Sequence, residues 1–318
     1  MKEETLKTID LFAGIGGIRL GFEQALGKNI ETVFASEWDR HARETYKANF
    51  KTPQGIAGDI TKISEKDIPK FDICLAGFPC QAFSTNGKRK GFEDTRGTLF
   101  FDVARICTHH KPKVIFCENV KGLTNHDNGR TYKTIKNTVE GMGYTIYDRI
   151  LNSKNFCVPQ NRERIFIVAF RNDIDASGFA FPEPIDSSKR IKDIMENQPV
   201  DAKYYLGKTF VETVHRYAAK GNDFYRIRDI DGISRAILSG NSNRNLIVDE
   251  RQRELPSGKN AERVRRFTPR EWARLQGFPE DFILPVSDSQ LYRQFGNTVT
   301  VPVIKATAEN IRRALECR

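Results

Sequence analysis

A chain of 318 residues is long enough for one large domain with a smaller one beside it, and 51 Lys and Arg against 41 Asp and Glu leave a formal charge of +10 that favours a polyanionic partner. Six cysteines at irregular spacing, with no Cys-x-x-Cys pair and no Cys/His cluster, argue against a disulfide framework and against a metal site. No apolar run approaches the roughly 20 residues of a membrane span and the start of the chain is charged, so a cytoplasmic protein without a membrane partner is expected.

Thr8 to Phe12 predicts a strand, Ala13 to Gly17 a glycine-rich turn, and the residues to about Leu26 a helix. This is the opening of a nucleotide-type βα unit, in which glycines let a ligand approach the backbone at a helix N-terminus. A dinucleotide fingerprint would need a small residue where Arg19 stands, which argues against NAD or FAD. Val33 to Ser36 predicts the second strand, and Glu37 at its end is placed to accept hydrogen bonds from ribose hydroxyls. Trp38 offers a flat face for an adenine, and Asp59, closing the third strand, an acceptor for its amino group. Each has a plain alternative as a turn, a helix cap or a surface aromatic. Three such residues at successive strand ends favour an adenosine cofactor without a pyrophosphate, and S-adenosylmethionine fits best.

Phe71 to Ala76 predicts a buried strand, and Gly77-Phe78-Pro79-Cys80-Gln81-Ala82-Phe83-Ser84 sets Cys80 on the turn at its carboxyl end, where open α/β sheets place chemistry. A thiol there is either a nucleophile or a small buried hydrophobe. Ser84 to Gly97, carrying Lys88, Arg89, Lys90 and Arg96, reads as a basic loop that closes over a phosphate backbone or is simply solvated. A helix from Thr98 to about His110 follows. Lys113 to Cys117 predicts a strand ending in Glu118-Asn119-Val120, which puts Glu118 at the same sheet edge as Cys80. After a helix from about Tyr132 to Gly141 and a strand near Tyr144 to Ile150, Pro159 to Arg164 leads into the strand Ile165 to Phe170. Arg162 and Arg164 share one side if the strand has already begun there, and would hold a base oxygen or phosphate, or pair with acids.

Beyond about Ser187 the alternation of strand and helix stops. Residues 187–268 carry 17 Lys and Arg against 11 Asp and Glu, a net +6, over half of the excess charge. This is the candidate nucleic-acid-reading segment, with Arg226, Arg228, Arg235, Arg244, Arg251 and Arg253. A helix then starts with Thr268 as N-cap, Pro269 in the first turn and Glu271 completing a capping box, and ends near Gly277. Gln294-Phe295-Gly296-Asn297-Thr298-Val299 precedes a final amphipathic helix to about Leu315.

Asp10 to Gly17, Glu37-Trp38, Gly58-Asp59, Gly77 to Ser84, Glu118 to Val120, Gln160 to Arg164, Arg266 to Pro279 and Gln294 to Val299 agree in letters, order and spacing with one family. Over nearly its whole length the sequence resembles the bacterial DNA (cytosine-5) methyltransferases of the restriction-modification type. The resemblance implies an α/β fold, a Rossmann-like S-adenosylmethionine-dependent methyltransferase sheet with a second, smaller target-recognition domain. It divides the chain into a catalytic and cofactor domain (1–186), a target-recognition domain (187–268) and a return segment (269–318). It implies that Phe12, Gly14, Ile15, Gly17, Glu37, Trp38, Asp59, Ile60, Pro79, Leu99, Asn297 and Val299 hold S-adenosylmethionine. Cys80 would attack C6 of a flipped-out cytosine, and Glu118, its pKa raised by burial, would face N3 in protonated form. Arg164 would grip the base oxygen and Arg162 support the thiolate or the sugar-phosphate. Ser84, Lys88 and Arg96 would contact the DNA backbone, and Arg226, Arg228, Arg235 and Arg244 the target sequence. The expected partner is double-stranded DNA, with a functional pairing to a restriction endonuclease but no physical complex, and a bacterial monomer is expected. Three other readings compete: cytosine methylation of tRNA on the same scaffold, a catalytically inert DNA-binding relative, and a nicotinamide oxidoreductase, which Arg19 disfavours.

Overall fold

The computed structural model describes residues 5–79, 99–185, 187–222, 224–252 and 254–316. In chain order the regular elements begin with β1 (Leu6–Leu11), α1 (Gly17–Leu26), β2 (Ile30–Ser36), α2 (Arg40–Asn49), β3 (Ile56–Ala57), β4 (Ile73–Ala76), α3 (Leu99–His110) and β5 (Val114–Val120). They continue with α4 (Arg130–Gly141), β6 (Tyr144–Asn152), β7 (Gln160–Asn161), β8 (Glu163–Arg171), α5 (Lys208–Ala219), β9 (Arg226–Ile227) and β10 (Ser234–Arg235). The last are β11 (Asn245–Val248), β12 (Val264–Arg266), α6 (Pro269–Leu275), α7 (Asp288–Asn297) and α8 (Val301–Glu316). Two units result, one from Met1–Leu151, Glu163–Glu183 and Val303–Arg318, the other from Asn152–Arg162 and Pro184–Pro302.

The first unit is built on a seven-stranded sheet in the order β3-β2-β1-β4-β5-β8-β6. Strands β1 to β5 pair in parallel and β8 runs antiparallel to β5. Strand β4 and the first four residues of β5, Val114 to Cys117, read as unbroken apolar runs because both of their faces are covered, as parallel strands inside a sheet require. Ile9, Leu11, Cys74, Ala76, Ile115, Cys117, Ile165 and Ile167 form one core with Phe100, Val103 and Ile106 of α3. From β1 the chain steps outward to β2 and β3, then returns across β1 to β4 and β5. The strand order therefore reverses between β1 and β4, and the crevice outside the carboxyl ends of strands at such a point is where open α/β sheets bind ligands.

One buried charge network stands behind that edge. Asp10 is fully buried in β1, and its Oδ2 accepts from the Tyr46 hydroxyl of α2 at 3.3 Å. Tyr46 in turn accepts from Arg19 Nη1 at 3.1 Å. Burial pushes the Asp10 carboxyl up to about 7, against the lowering effect of Arg19 and of the Tyr46 hydrogen bond. A carboxyl whose folded pKa is raised stabilises the fold fully below the unfolded value near 3.8, and that contribution is lost as pH rises through about 7. Wild-type stability is therefore expected to decline as pH rises from about 4 to about 7, and Asp10→Asn to flatten that decline. Urea midpoints across this range test the assignment, and equal slopes for the two proteins would refute it.

The second unit carries α5, α6 and α7, a three-stranded sheet β12-β11-β9 and a two-stranded pair β10-β7. Thr268 caps α6 as expected: its hydroxyl accepts from Glu271 N at 3.1 Å, and Glu271 Oε2 accepts from Thr268 N at 2.8 Å. The structure departs from the sequence reading in three places. The expected return segment 269–318 divides, residues up to Pro302 belonging to the second unit and α8 from Val303 onward to the first. Helix α7 was not anticipated, since its apolar positions are few. The strand expected from Ile165 starts already at Glu163, so that it takes in Arg164 but leaves Arg162 in the gap after β7, and the condition for a shared side is not met. Among the described residues no helix is long and apolar enough to cross a membrane.

Candidate active site

At the carboxyl end of β1 the backbone turns through left-handed conformations at Phe12 (φ 55°), Gly14 (φ 55°) and Gly16 (φ 85°) before α1 begins. The two glycines are required for different reasons. A Cβ added to Gly14 would meet nothing within 4 Å, so that face of the turn is open to a ligand, whereas one on Gly16 would lie 2.3 Å from the Phe50 ring. Glu37, at the end of β2, ties the turn in place, with Oε2 accepting from Gly14 N and Oε1 from Asp39 N, each at 2.8 Å. Burial pushes the Glu37 carboxyl up, and those backbone donors pull it back down. A carboxylate oxygen has two lone pairs, so Glu37 retains acceptor capacity. Beside it the Trp38 indole is 76% exposed, a largely open flat aromatic face. Asp59 follows β3, and its Oδ1 accepts from Thr61 N at 3.1 Å and Thr61 Oγ1 at 2.8 Å, bonds that hold its carboxyl below the usual range. Ile60 is buried beneath it. An open glycine turn, an acid at the neighbouring strand end and an exposed ring make a set that fits an adenosine group.

Arg19 explains itself in the same region. Its guanidinium donates to Glu23 Oε1 (2.6 Å), Tyr46 Oη (3.1 Å), Thr52 Oγ1 (3.3 Å) and Lys51 O (2.8 Å), and it stacks 4.7 Å from the Phe50 ring. The position that a dinucleotide fold keeps small for close helix packing is here filled by a buried, fully engaged arginine.

The next strands shape the neighbouring edge. Ala76 pairs with Cys117 across β4 and β5, so the chain after β4 leaves beside Glu118. Asn119, 3% exposed, donates from Nδ2 to the Phe78 carbonyl at 2.8 Å and so pins the backbone two residues before Cys80. Pro79 is exposed; Cys80, Ser84, Lys88 and Arg96 lie outside the described residues. Glu118 is 8% exposed, and its Oε1 lies 3.2 Å from Arg164 Nε of β8. Arg164 sits opposite Val120 in the antiparallel register, which makes Glu118 its diagonal neighbour on the same face. Burial lowers the Arg164 pKa and the Glu118 charge raises it back. A carboxyl and a guanidinium side by side at a strand edge can hold both polar edges of a planar heterocycle. Removing the amide in Asn119→Ala leaves the buried Phe78 carbonyl without its donor and frees the turn, and a misplacement of about 1 Å at a reacting group costs roughly 10²-fold in rate. The turnover number is expected to fall by about that factor with cofactor affinity unchanged; a change in affinity alone would contradict this role.

Arg162 does not join Arg164. It is 2% exposed and its guanidinium donates to the carbonyls of Ile237 (3.0 Å), Gly296 (3.3 Å) and Thr298 (2.6 Å) within the second unit. The break at Arg162 removes the two-residue repeat on which the shared side depended. Leu99 opens α3, half-buried. Asn297 ends α7 exposed and Val299 is buried, both in the second unit. That unit also carries Arg226 and Arg235, exposed, and Arg228 and Arg244, half-buried. The clamp that Asn119 makes on the Phe78 carbonyl and the Asp10–Tyr46–Arg19 network carry no local signal, because the partners stand 27 to 41 positions apart in the chain.

The model of the C-5 cytosine-specific DNA methylases matches residues 6–313. The chain is 50% identical to the type II methyltransferase M.HpaII of Haemophilus parainfluenzae, over 98% of this chain and 90% of that protein. It is 41% identical to M.HhaI of Haemophilus parahaemolyticus, over 98% and 95%. The crystal structure of the S. pombe Dnmt2 methyltransferase superposes with a TM-score of 0.75 at 24% identity, covering 98% of each chain, which establishes the fold. With that fold, an edge built from the motif residues and matches running nearly end to end, this chain belongs to the C-5 cytosine-specific DNA methylases, the DNA (cytosine-5) methyltransferases of type II restriction-modification systems.

Proposed function

We propose that this protein methylates C5 of a cytosine flipped out of double-stranded DNA, through a covalent bond between Cys80 and C6, and so protects that DNA from a paired restriction endonuclease. The observation that carries the reading is the edge formed by Glu118 and Arg164 at 3.2 Å, beside a turn to Cys80 that Asn119 holds by the Phe78 carbonyl.

A stacked cytosine exposes neither C6 nor N3 to protein groups, so the base has to leave the duplex. C6 is a poor electrophile until the ring is polarised. Glu118 supplies that by delivering a proton to N3 while the Cys80 thiolate adds to C6, which leaves C5 as a nucleophilic enamine carbon. S-adenosylmethionine, when bound, presents an electrophilic methyl group for that carbon; Phe12, Gly14, Ile15, Gly17, Glu37, Trp38, Asp59, Ile60, Pro79 and Leu99 are the residues of the first unit that would hold it. Loss of the C5 proton to solvent then returns the electron pair that expels the thiolate, and N3 gives its proton back. Arg164 exchanges its partner as the base arrives, from the Glu118 carboxylate to the base oxygen. Arg162, engaged by three carbonyls, anchors the backbone of Ile237, Gly296 and Thr298 instead of touching substrate.

The test uses S-adenosylmethionine with labelled methyl, unmethylated DNA and tRNA in parallel, together with a duplex carrying 5-fluorocytosine. Fluorine at C5 blocks the elimination step, so a covalent protein–DNA adduct surviving denaturation is expected, with label in ordinary DNA as 5-methylcytosine. Label confined to tRNA would move the mechanism to that substrate, and label in DNA without any adduct would remove the covalent step.

A further inference from the structure

On the second unit, β9 and β11 run parallel with Arg226 opposite Asn245 and Ile227 opposite Leu246, and Arg228 N extends the ladder to Leu246 O at 2.7 Å. Side chains alternate along such a strand, so Arg226 and Arg228 leave on one face, while Arg244 immediately precedes β11. Asn245 is 2% exposed and uses both ends of its amide here. Its Oδ1 accepts from Arg228 Nε at 3.1 Å and from Arg235 N at 3.3 Å, and its Nδ2 donates to Arg235 O at 3.2 Å. The Arg228 guanidinium is thereby fixed by its inner nitrogen.

What the outer atoms meet is the unusual part. Arg228 Nη2, Arg244 Nε and Asn243 Oδ1 are sealed from solvent, yet none has a hydrogen-bond partner among the described residues. Elsewhere in this unit Arg251 pairs with Asp249, Arg265 with Glu271 and Arg274 with Glu196, while Arg162 is met by three carbonyls. Among the described residues the charges that act on Arg228 are those of Arg226 and Arg244, and these, after burial itself, bring its pKa down to about 10. Three sealed polar atoms and a cluster of like charges weaken the fold until a partner of matching chemistry arrives.

The unmet groups are two guanidinium donors and one amide acceptor. A phosphate offers only acceptors and would leave Asn243 Oδ1 unmet. A G·C pair in the major groove offers two adjacent acceptors, guanine O6 and N7, and one donor, the cytosine N4 amino group. An A·T pair sets its amino donor between two acceptors, which suits a pair of guanidiniums less well. We propose that Arg228 and Arg244, with Asn243 as acceptor, read one G·C base pair of the recognition sequence from the major groove. This rests on the proposed methylation of DNA.

The experiment measures methyl transfer to duplexes bearing the site mapped for the wild-type protein, with guanines replaced one at a time by 7-deazaguanine, which lacks only the N7 acceptor. At one position the wild-type rate is expected to fall about 5- to 150-fold, the factor carried by one bidentate base contact. Arg228→Ala or Arg244→Ala is expected to lose a similar factor on the unmodified duplex and nothing further at that same position. Trp272 fluorescence, reporting the second unit, and cofactor binding, reporting the first, establish that each variant is folded, and Arg228→Lys serves if the alanine variant is not. Variants that lose the same additional factor as wild type at every modified guanine would overturn the assignment and leave these arginines as phosphate contacts. A wild-type protein that methylates no duplex at all would instead bring down the proposed function.

Discussion

Glu118→Gln is expected to slow single-turnover methyl transfer by roughly 10²- to 10⁴-fold, the usual contribution of a positioned general acid, while cofactor affinity stays as in wild type. Glutamine fills the same volume at the end of β5 and its amide can donate a hydrogen bond to N3, but it cannot deliver a proton. The size of the loss therefore separates proton transfer from hydrogen bonding. The Arg164 contact sharpens the prediction. The guanidinium Nε lies 3.2 Å from Glu118 Oε1, so arrival of the base has to draw Arg164 away from the carboxyl. Arg164→Leu keeps the acid and removes only its partner, so it should raise the concentration of DNA needed for half-maximal rate and slow the chemical step less than Glu118→Gln does. Rapid-quench measurement of label transfer at saturating DNA decides the matter. A loss under about tenfold in a normally folded Glu118→Gln protein would mean that Glu118 only holds the base.

How much of this could be read beforehand follows from the range over which each feature is determined. The βα opening at Thr8 to Leu26, the cap at Thr268 to Glu271 and the strand that carries Glu118 near its end are local: apolar runs, glycines and capping residues specify them within a few positions. Arg162 shows where local reading ends. Two arginines two residues apart look like one face of a strand, and only the carbonyls of Ile237, Gly296 and Thr298, 75 to 136 positions away, pull Arg162 out of that pattern. The split of the last segment has the same cause. No composition change marks Pro302, because α7 and α8 are both amphipathic and differ only in which unit receives their apolar face. Asn119 was legible as part of a motif but not as a clamp, since its partner Phe78 is 41 positions earlier.

The largest effect on stability is expected at Arg265. Its side chain is fully buried, with Nε donating to Asp249 Oδ2 and Nη1 and Nη2 to the two oxygens of Glu271, all at 2.7 Å. Glu271 is also fully buried and accepts from Thr268 N at 2.8 Å and Glu196 N at 2.9 Å, so the fork joins β12 to β11 and to the first turn of α6. Burial disfavours the Arg265 charge, but the hydrogen bonds and charges of Glu271 and Asp249 more than reverse this and push its pKa above the ordinary arginine range. Arg265→Met keeps the apolar length, leaves the Glu271 carboxylate sealed without its cation and leaves Asp249 to Arg251 alone, a change that costs about 3–5 kcal/mol. Replacing Asp249 and Glu271 as well, by apolar residues of similar volume, is expected to recover much of that loss, because the penalty lies in the uncompensated charges more than in the missing bonds. The pH dependence gives an independent check. Burial raises the Asp249 carboxyl, yet Arg251 and Arg265 bring it down to about 2, so its contribution is present above the unfolded value of 3.8 and is lost as pH falls through about 2. Wild type should therefore weaken steeply in acid over that window, the reverse of the trend expected for Asp10 near neutrality. Trp272, 1% exposed in α6, reports the unfolding of this unit, whereas Trp38 is largely exposed already. Urea midpoints from that signal should fall for Arg265→Met at pH 7 and partly return in the triple variant. If the triple variant is no more stable than Arg265→Met, the bonds themselves, and not the stranded charges, hold β11, β12 and α6 together.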